Sequence, residues 1–280
     1  MKIESINVYD GTALRVARFE PPEKPAGVVH IVHGFGEGLD HYKGIAEYFA
    51  GNGYACIVHD QRGFGEMPGL SPKEKQKARG VVPGYYYLIE DVKEIYEKIN
   101  KWYPGIPIIL YGHSMGGNIV SNYLIRYQGY DRAILEAPWL RLYKPLPKLA
   151  TSLAGFVGKV NNKLTINAKV NIDHITRNLE IVKDLRTDGI YHNRMSLRLY
   201  AEIVRAGEFA IKYANTIPIP MLILCPGADK IVCPDAIHEF YAAANKNAEL
   251  LEFQDGYHCL HADIINADVM KAVLEFMKKS

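Results

Sequence analysis

The chain has 280 residues, of which 48% are hydrophobic and 23% are charged, and its formal net charge at pH 7 is +2. A chain of this length can bury a large core without disulfide bonds, and its composition excludes collagen-like and disordered proteins. The small net charge gives no reason to expect nucleic acid as a partner. The first residues lack the apolar core of a signal peptide, and no run of 18 apolar residues predicts a membrane span. We therefore expect a cytoplasmic protein whose four cysteines are reduced.

Strand-like and helix-like segments alternate over the first half of the chain. In chain order, we predict strands at residues 3–8, 14–19 and 26–32, a helix at 42–49, a strand at 54–59, a helix at 85–102, a strand at 106–111, a helix at 118–127 and a strand at 132–135. The Asp10-Gly11 pair between the first two strands is typical of a hairpin turn. The alternation that follows predicts a parallel sheet with helices on both faces.

The alternation stops near residue 139, and only helical patterns follow as far as residue 213. It resumes with a strand at residues 220–225, a helix at 236–244, a strand at 249–253 and a helix at 262–278. We therefore expect a doubly wound, mostly parallel α/β core made of residues 1–138 and 214–280. Residues 139–213 are then an inserted, mainly helical cap.

The inserted segment is basic and carries an apolar stripe. It holds 13 Lys and Arg against 6 Asp and Glu. The stripe, at helical spacing, consists of Leu146, Leu149, Leu153, Phe156 and Val160. Such a helix is too short to span a bilayer, but it can lie on an anionic lipid surface with its apolar face down. The alternative is that the stripe packs against the core, as most amphipathic helices do.

The pattern Gly112-X-Ser114-X-Gly116 lies between a predicted strand and a predicted helix. This is the context of a nucleophile elbow, a sharp turn that exposes a serine hydroxyl. A serine becomes nucleophilic when a histidine takes its proton and a carboxylate orients that histidine. The sequence therefore predicts Ser114 as a nucleophile with both partners further along the chain.

Two residues after later strands fit those roles. Asp229 follows the strand at 220–225, and His258 follows the strand at 249–253, which gives the order serine, acid, histidine. The carboxyl ends of parallel strands gather at one edge of a sheet, where such sites form. Two alternatives stay open: Glu136, which also ends a strand, as the acid, and His261 as the base.

The glycine-rich loop at residues 33–38 predicts half of an oxyanion hole. Gly34 and Gly36 let the main chain approach a substrate carbonyl, and the N–H groups of Phe35 and Met115 are the expected donors. The spacing of Cys225, Cys233 and Cys259 fits no structural zinc site, so we expect no metal. No cofactor is implied either.

Several motifs together resemble the monoacylglycerol lipase and lysophospholipase group of α/β-hydrolases. They are HGFGEG (33–38), HDQRGFG (59–65), GHSMGG (112–117), LEAP (135–138), YHNRMSLRLYAEI (191–203), PGADKIV (226–232) and GYHCLH (256–261). The resemblance implies the α/β-hydrolase fold with an inserted cap and a triad of Ser114, Asp229 and His258. It also implies an oxyanion pair at Phe35 and Met115, with His33 supporting the loop. Gly38, Phe64 and Met67 depart from the usual pattern at supporting positions.

These residues predict a serine hydrolase that cleaves carboxylic esters of lipid-like substrates, of the monoacylglycerol or lysophospholipid type, through an acyl-enzyme. A serine at position 114 argues against epoxide hydrolases and haloalkane dehalogenases, which need an aspartate there. The alternatives are a short-chain or aryl carboxylesterase and a non-catalytic ligand-binding protein. The head group, the acyl-chain length and the oligomeric state stay open.

Overall fold

The computed structural model describes residues 1–279, which contain ten strands and nine α-helices. The strands are β1 (Lys2–Asn7), β2 (Ala13–Phe19), β3 (Gly27–Val32), β4 (Tyr54–His59), β5 (Ile108–His113), β6 (Arg132–Glu136), β7 (Thr165–Asn167), β8 (Arg194–Ser196), β9 (Met221–Pro226) and β10 (Ala248–Phe253). The helices are α1 (Lys43–Gly51), α2 (Pro72–Ala78), α3 (Tyr85–Trp102), α4 (Met115–Arg126), α5 (Lys148–Val160), α6 (Leu179–Thr187), α7 (Leu197–Tyr213), α8 (Pro234–Ala243) and α9 (Asn266–Met277). Eight of the strands belong to one mostly parallel sheet, as predicted.

The chain folds into two compact units, and the first contains residues 1–108, 146–169 and 190–203. Its strands lie in the order β1-β2-β4-β3, with β3 and β4 parallel and the other pairs antiparallel. Every residue of β3 and β4 is buried, which agrees with their nearly continuous apolar sequences. The apolar face of α3, at Leu88, Val92, Ile95 and Ile99, is buried as its spacing predicts.

The second unit contains residues 109–145, 170–189 and those from Val204 onward. Its strands lie in the order β5-β6-β9-β10, and all three pairs are parallel. The carboxyl ends of these strands therefore lie at one edge, and the loops that leave them begin close together. Ser114, Asp229 and His258 are all on such loops, which is why residues distant in sequence can meet there.

Element boundaries differ from the predicted ones mainly at helix starts. Helix α4 begins at Met115, directly after the serine, whereas the sequence predicted a start at residue 118. Helix α2 was not predicted; it begins after Ser71 with a capping box closed by Glu74. The short antiparallel pair β7–β8, within residues 139–213, was not predicted either, because three-residue strands leave too little periodicity to recognise.

Four of the five residues of the apolar stripe lie on α5, and Leu146 precedes it. The stripe faces away from the core. The buried residues of α5 are the small ones, Thr151, Gly155 and Gly158, and a Cβ on Gly158 would clash with the main chain of Arg198. The large residues face solvent: 82% of Leu149 and 68% of Phe156 are exposed. The alternative that this stripe packs against the core is therefore wrong.

Within residues 1–279, no helix has both the length and the apolar character needed to cross a bilayer. Among these residues, none of the four cysteines forms a disulfide. The division into a core and a cap at residues 139–213 stays a prediction, and so does a cytoplasmic location.

Candidate active site

Ser114 forms the junction between β5 and α4, because β5 ends at His113 and α4 begins at Met115. Its φ is 54° and its ψ is −116°, a region that non-glycine residues seldom occupy. Its N–H donates to the carbonyl of Glu136 at 3.0 Å, and its carbonyl accepts the N–H of Trp139 at 2.8 Å. These main-chain bonds hold the turn that the Gly-X-Ser-X-Gly pattern predicted.

Glycines make room for this turn. A Cβ on Gly112 would lie 2.6 Å from the carbonyl oxygen of Gly116, and one on Gly117 would lie 2.8 Å from the Cβ of Pro138. Side chains at either position would push the first turn of α4 away from its neighbours. Gly112 belongs to the Gly-X-Ser-X-Gly pattern, whereas the need for Gly117 emerges only from the structure.

The side chain of His258 lies between those of Ser114 and Asp229. Its Nε2 is 2.8 Å from Oγ of Ser114, and its Nδ1 is 2.7 Å from Oδ2 of Asp229. All three residues are buried. The geometry fits a carboxylate that accepts the Nδ1–H, which leaves Nε2 to accept the hydroxyl proton of the serine.

The carboxylate of Asp229 is fixed at both oxygens. While Oδ2 faces His258, Oδ1 accepts the N–H of Ile231 at 2.6 Å and that of Val232 at 3.0 Å. The loop after β9 therefore holds the carboxylate in one orientation, and the carboxylate in turn orders the loop.

The two residues that the sequence left as alternatives pair with each other. Oε2 of Glu136 accepts Nδ1–H of His261 at 2.8 Å, and Oε1 accepts the main-chain N–H of His261 at 3.0 Å. Burial by itself would raise the pKa of Glu136, but His261, His113 and two hydrogen bonds bring that pKa down to about 2. Burial opposes the charged form of His261 too, yet Cys259 and Glu136 raise its pKa well above the ordinary value.

Three further residues surround this pair. Tyr111 donates its hydroxyl to Glu136, the ring centroid of His113 lies 5.0 Å from that of His258, and Sγ of Cys259 lies 3.4 Å from Nε2 of His261. Tyr111 had no predicted role. Strand periodicity could have indicated it, because Tyr111 and His113 are two residues apart on β5 and their side chains therefore lie on the same face of the strand.

The predicted oxyanion loop is tightly held within the first unit. His33 donates its Nδ1–H to the carbonyl of Gly34 at 2.8 Å and accepts the N–H of Gln61 at Nε2 at 2.9 Å. Glu37 accepts the N–H of Gly34 at 2.6 Å. Phe35 is buried, with its ring edge-on to Phe64, and its share in an oxyanion hole stays a prediction.

The second predicted oxyanion donor is Met115, the first residue of α4 in the second unit. The first N–H groups of a helix have no partner within the helix and point toward its N-terminus. The position of Met115 therefore suits an anion that forms beside Ser114.

Three of these residues also carry side chains of the types that bind metal ions. Donor atoms of Glu136, Cys259 and His261 lie within 4.8 Å of one another. These groups are hydrogen-bonded to one another, Nδ1 of His261 to Glu136 and Nε2 of His261 to Cys259.

Comparison with known proteins places the chain in a family. The model of the family described as "Serine aminopeptidase, S33" matches residues 23–264. The chain is 29% identical to a putative monoglyceride lipase of Schizosaccharomyces pombe, over 86% of this chain and 64% of that protein. It is 26% identical to the phospholipase YtpA of Bacillus subtilis, over 91% of this chain and 96% of that protein.

Coverage differs among the relatives. An uncharacterized abhydrolase domain-containing protein of Dictyostelium discoideum is 24% identical over 99% of this chain, but the chain spans only 29% of that protein. The crystal structure of the monoacylglycerol lipase of Paleococcus ferrophilus superposes with a TM-score of 0.83 at 26% identity, covering 94% of this chain and 98% of that one. Because the family model matches well over half of its residues, the chain belongs to the Serine aminopeptidase S33 family of α/β-hydrolases.

Proposed function

We propose that the protein is a serine hydrolase that cleaves carboxylic esters of lipid-like substrates. The observation that carries this proposal is the buried hydrogen-bonded series from Ser114 through His258 to Asp229. The strained turn at Ser114 supports it, because costly backbone conformations persist where a function needs them.

In the proposed reaction, Oγ of Ser114 attacks the ester carbonyl while Nε2 of His258 takes the hydroxyl proton. Asp229 stabilises the imidazolium that forms. The main-chain N–H groups of Phe35 and Met115 are expected to donate hydrogen bonds to the negative oxygen of the tetrahedral intermediate. His258 then returns its proton to the leaving alcohol. Water, activated by the same histidine, hydrolyses the acyl-enzyme and releases the carboxylic acid.

The substrate class that we propose is a monoacylglycerol or a lysophospholipid. It is supported by relatives that are named monoglyceride lipase, monoacylglycerol lipase and phospholipase, and by the sequence motifs that resemble this group. A short-chain or aryl carboxylesterase is the alternative within the same chemistry.

We further propose that residues 139–213 form a cap and that α5 docks weakly on anionic lipid. Its large side chains are exposed along one stripe, among them Val160 at 77%. Lys148 and Lys159 are exposed on the same helix, where they can approach anionic head groups. The protein would then bind at the surface of lipid aggregates, where an ester substrate that partitions into them is found.

A hydrolysis panel tests the function. It contains monoacylglycerols, lysophospholipids and p-nitrophenyl esters of increasing chain length, together with amino-acid p-nitroanilides, because the family description names a peptidase. We expect turnover of the esters that rises with acyl length, and none by Ser114→Ala. Activity confined to the shortest esters would favour the carboxylesterase, and activity on the anilides alone would contradict the proposal.

A further inference from the structure

A second carboxylate–histidine pair lies beside the proposed triad. Glu136 is the last residue of β6, and its main-chain carbonyl accepts the N–H of Ser114 at 3.0 Å. Its side chain, which is completely buried, points instead to the loop that carries His258. One residue therefore joins the turn of the nucleophile to the loop of its proposed base.

The carboxylate of Glu136 holds that loop at two points. One oxygen accepts the main-chain N–H of His261 at 3.0 Å, and the other accepts the ring Nδ1–H at 2.8 Å. Tyr111, on the neighbouring strand β5, donates its hydroxyl to the same carboxylate. Position 261 comes three residues after His258, so a fixed His261 restricts where His258 can lie.

The contacts continue from His261 back to His258. Nε2 of His261 is 3.4 Å from Sγ of Cys259, the residue that follows His258. The ring of His113 contacts both histidines, with centroid distances of 5.0 Å to His258 and 5.3 Å to His261. Its Nε2 is 3.4 Å from the main-chain carbonyl oxygen of His258. The pair is therefore connected to His258 through both Cys259 and His113.

The charges of the pair are complementary. The pKa of Glu136 lies at about 2 despite burial, while that of His261 is raised well above its ordinary value. The two shifts favour the carboxylate form of Glu136 and the imidazolium form of His261. A buried charge that loses its partner is strongly disfavoured, so either member of the pair keeps the other in place.

We propose that Glu136 and His261 are positioning residues that hold the His258 loop so that Nε2 stays within hydrogen-bond distance of Oγ of Ser114. Neither residue touches the reacting atoms in this scheme. The inference rests on the proposed function, because it assigns His258 as the base of that reaction. A slightly misplaced base lowers the rate of the chemical step more than it weakens substrate binding.

Steady-state kinetics on a p-nitrophenyl ester test the proposal with Glu136→Gln, His261→Gln and the double variant. We expect each single variant to lower kcat by about 10- to 100-fold with KM changed less than about threefold. Because the two side chains act as one unit, the double variant is expected to lose no more than the worse single variant. Additive losses, or single variants within about threefold of the wild-type kcat, would overturn the proposal.

A matched control separates positioning from general stability. Asp91 is another buried carboxylate that pairs with a cation, Arg62, and it lies in the first unit. Asp91→Asn is expected to lower the melting temperature while kcat stays within about twofold. If Glu136→Gln loses no more activity than Asp91→Asn at an equal loss of melting temperature, the role is structural only. Should Glu136→Gln fail to fold, Tyr111→Phe removes one donor to the same carboxylate and must lower kcat without raising KM.

Two readouts distinguish failure of this inference from failure of the proposed function. If the wild-type protein hydrolyses no ester and does not react with a fluorophosphonate, the proposed function fails. The histidine ¹⁵N NMR spectrum still tests the positioning: the Nε2 signal of His258 should show a hydrogen bond in the wild type that Glu136→Gln loses. An unchanged His258 signal in Glu136→Gln would overturn the positioning role whether or not the protein is an esterase.

Discussion

Ser114 pairs a strained backbone with a hydroxyl that is 2.8 Å from an imidazole nitrogen. Because the attacking oxygen exists only on this side chain, Ser114→Ala should abolish ester turnover and fluorophosphonate labelling while the fold stays intact. His258→Ala should lose nearly as much activity, since the two groups act as a unit. Mass spectrometry of the labelled protein measures the first effect, with circular dichroism as the check on folding. Full labelling of Ser114→Ala would contradict the assignment.

The two hydrogen bonds at Oδ1 of Asp229 make Asp229→Asn an informative change. The asparagine must keep its carbonyl oxygen toward the N–H groups of Ile231 and Val232, so its NH₂ faces His258. A donor at that position forces the wrong tautomer on the imidazole, and kcat should fall by about 10⁴-fold. Glu136→Gln should cost far less. If it proves the more damaging of the two in the same assay, Glu136 is the acid and the proposed triad is wrong.

At the scale of elements, α5 buries its small residues and exposes its large ones. We therefore expect Leu149→Ser with Phe156→Ser to reduce co-sedimentation with anionic vesicles while the melting temperature changes little. Binding by the wild type should rise with anionic lipid and fall with salt. Phe240, which is fully buried in α8, provides the contrast, since Phe240→Ser should unfold the protein. Equal wild-type binding to neutral and anionic vesicles at every salt concentration would rule out the charge argument.

Two helical glycines differ in the space around them. A Cβ on Gly207 in α7 would fall on the carbonyl of Leu140, whereas one on Gly44 in α1 meets nothing within 4 Å. Gly207→Ala should therefore destabilise the protein by about 1–3 kcal/mol or more. Gly44→Ala should stabilise it by about 0.5–1 kcal/mol, because alanine favours the helix. Urea denaturation measures both changes. If Gly207→Ala stabilised the protein, α7 would not pack closely on the main chain of Leu140.

At the scale of the whole molecule, two buried histidines make stability depend on pH. They are His30 and His59, and a nitrogen of one ring lies 3.0 Å from a nitrogen of the other. Burial lowers the pKa of His30 to about 3 and that of His59 well below its ordinary value. The unfolded chain therefore binds protons below about pH 6.5 that the folded protein does not bind. Stability from this source is complete above that pH and is lost as the pH falls toward 3.

His30→Gln isolates this effect. As the pH is lowered from 6.5 to 4, the free energy of unfolding of this variant should fall less steeply than that of the wild type. The two slopes should differ by up to about 1.4 kcal/mol per pH unit. Burial raises the pKa of Asp60 and Asp91 to about 6, which opposes the trend, but both proteins share these groups. Denaturation at a series of pH values measures the difference, and identical slopes would show that His30 titrates normally in the folded protein.

The strands of the main sheet, most of the helices between them and the sheet edge that gathers the candidate site could be predicted from local sequence, although α2, β7 and β8 were missed. Continuous apolar runs such as 54–59 matched strands because burial on both faces of a parallel sheet requires them. Ser114, Asp229 and His258 were predictable because each follows a strand through a short loop, and parallel strands bring such loops together.

The pairing of each carboxylate with its histidine became clear only from the assembled sheet. Glu136 ends β6 and Asp229 lies in the loop after β9, so both are at the carboxyl ends of strands and local sequence could not distinguish them. Which carboxylate meets which histidine depends on the lateral order of β6, β9 and β10 and on side-chain directions that arise when the sheet is assembled. The outward stripe of α5 was undecided for the same reason: periodicity shows that a helix has an apolar face, but what packs against its other face determines whether that apolar face is buried.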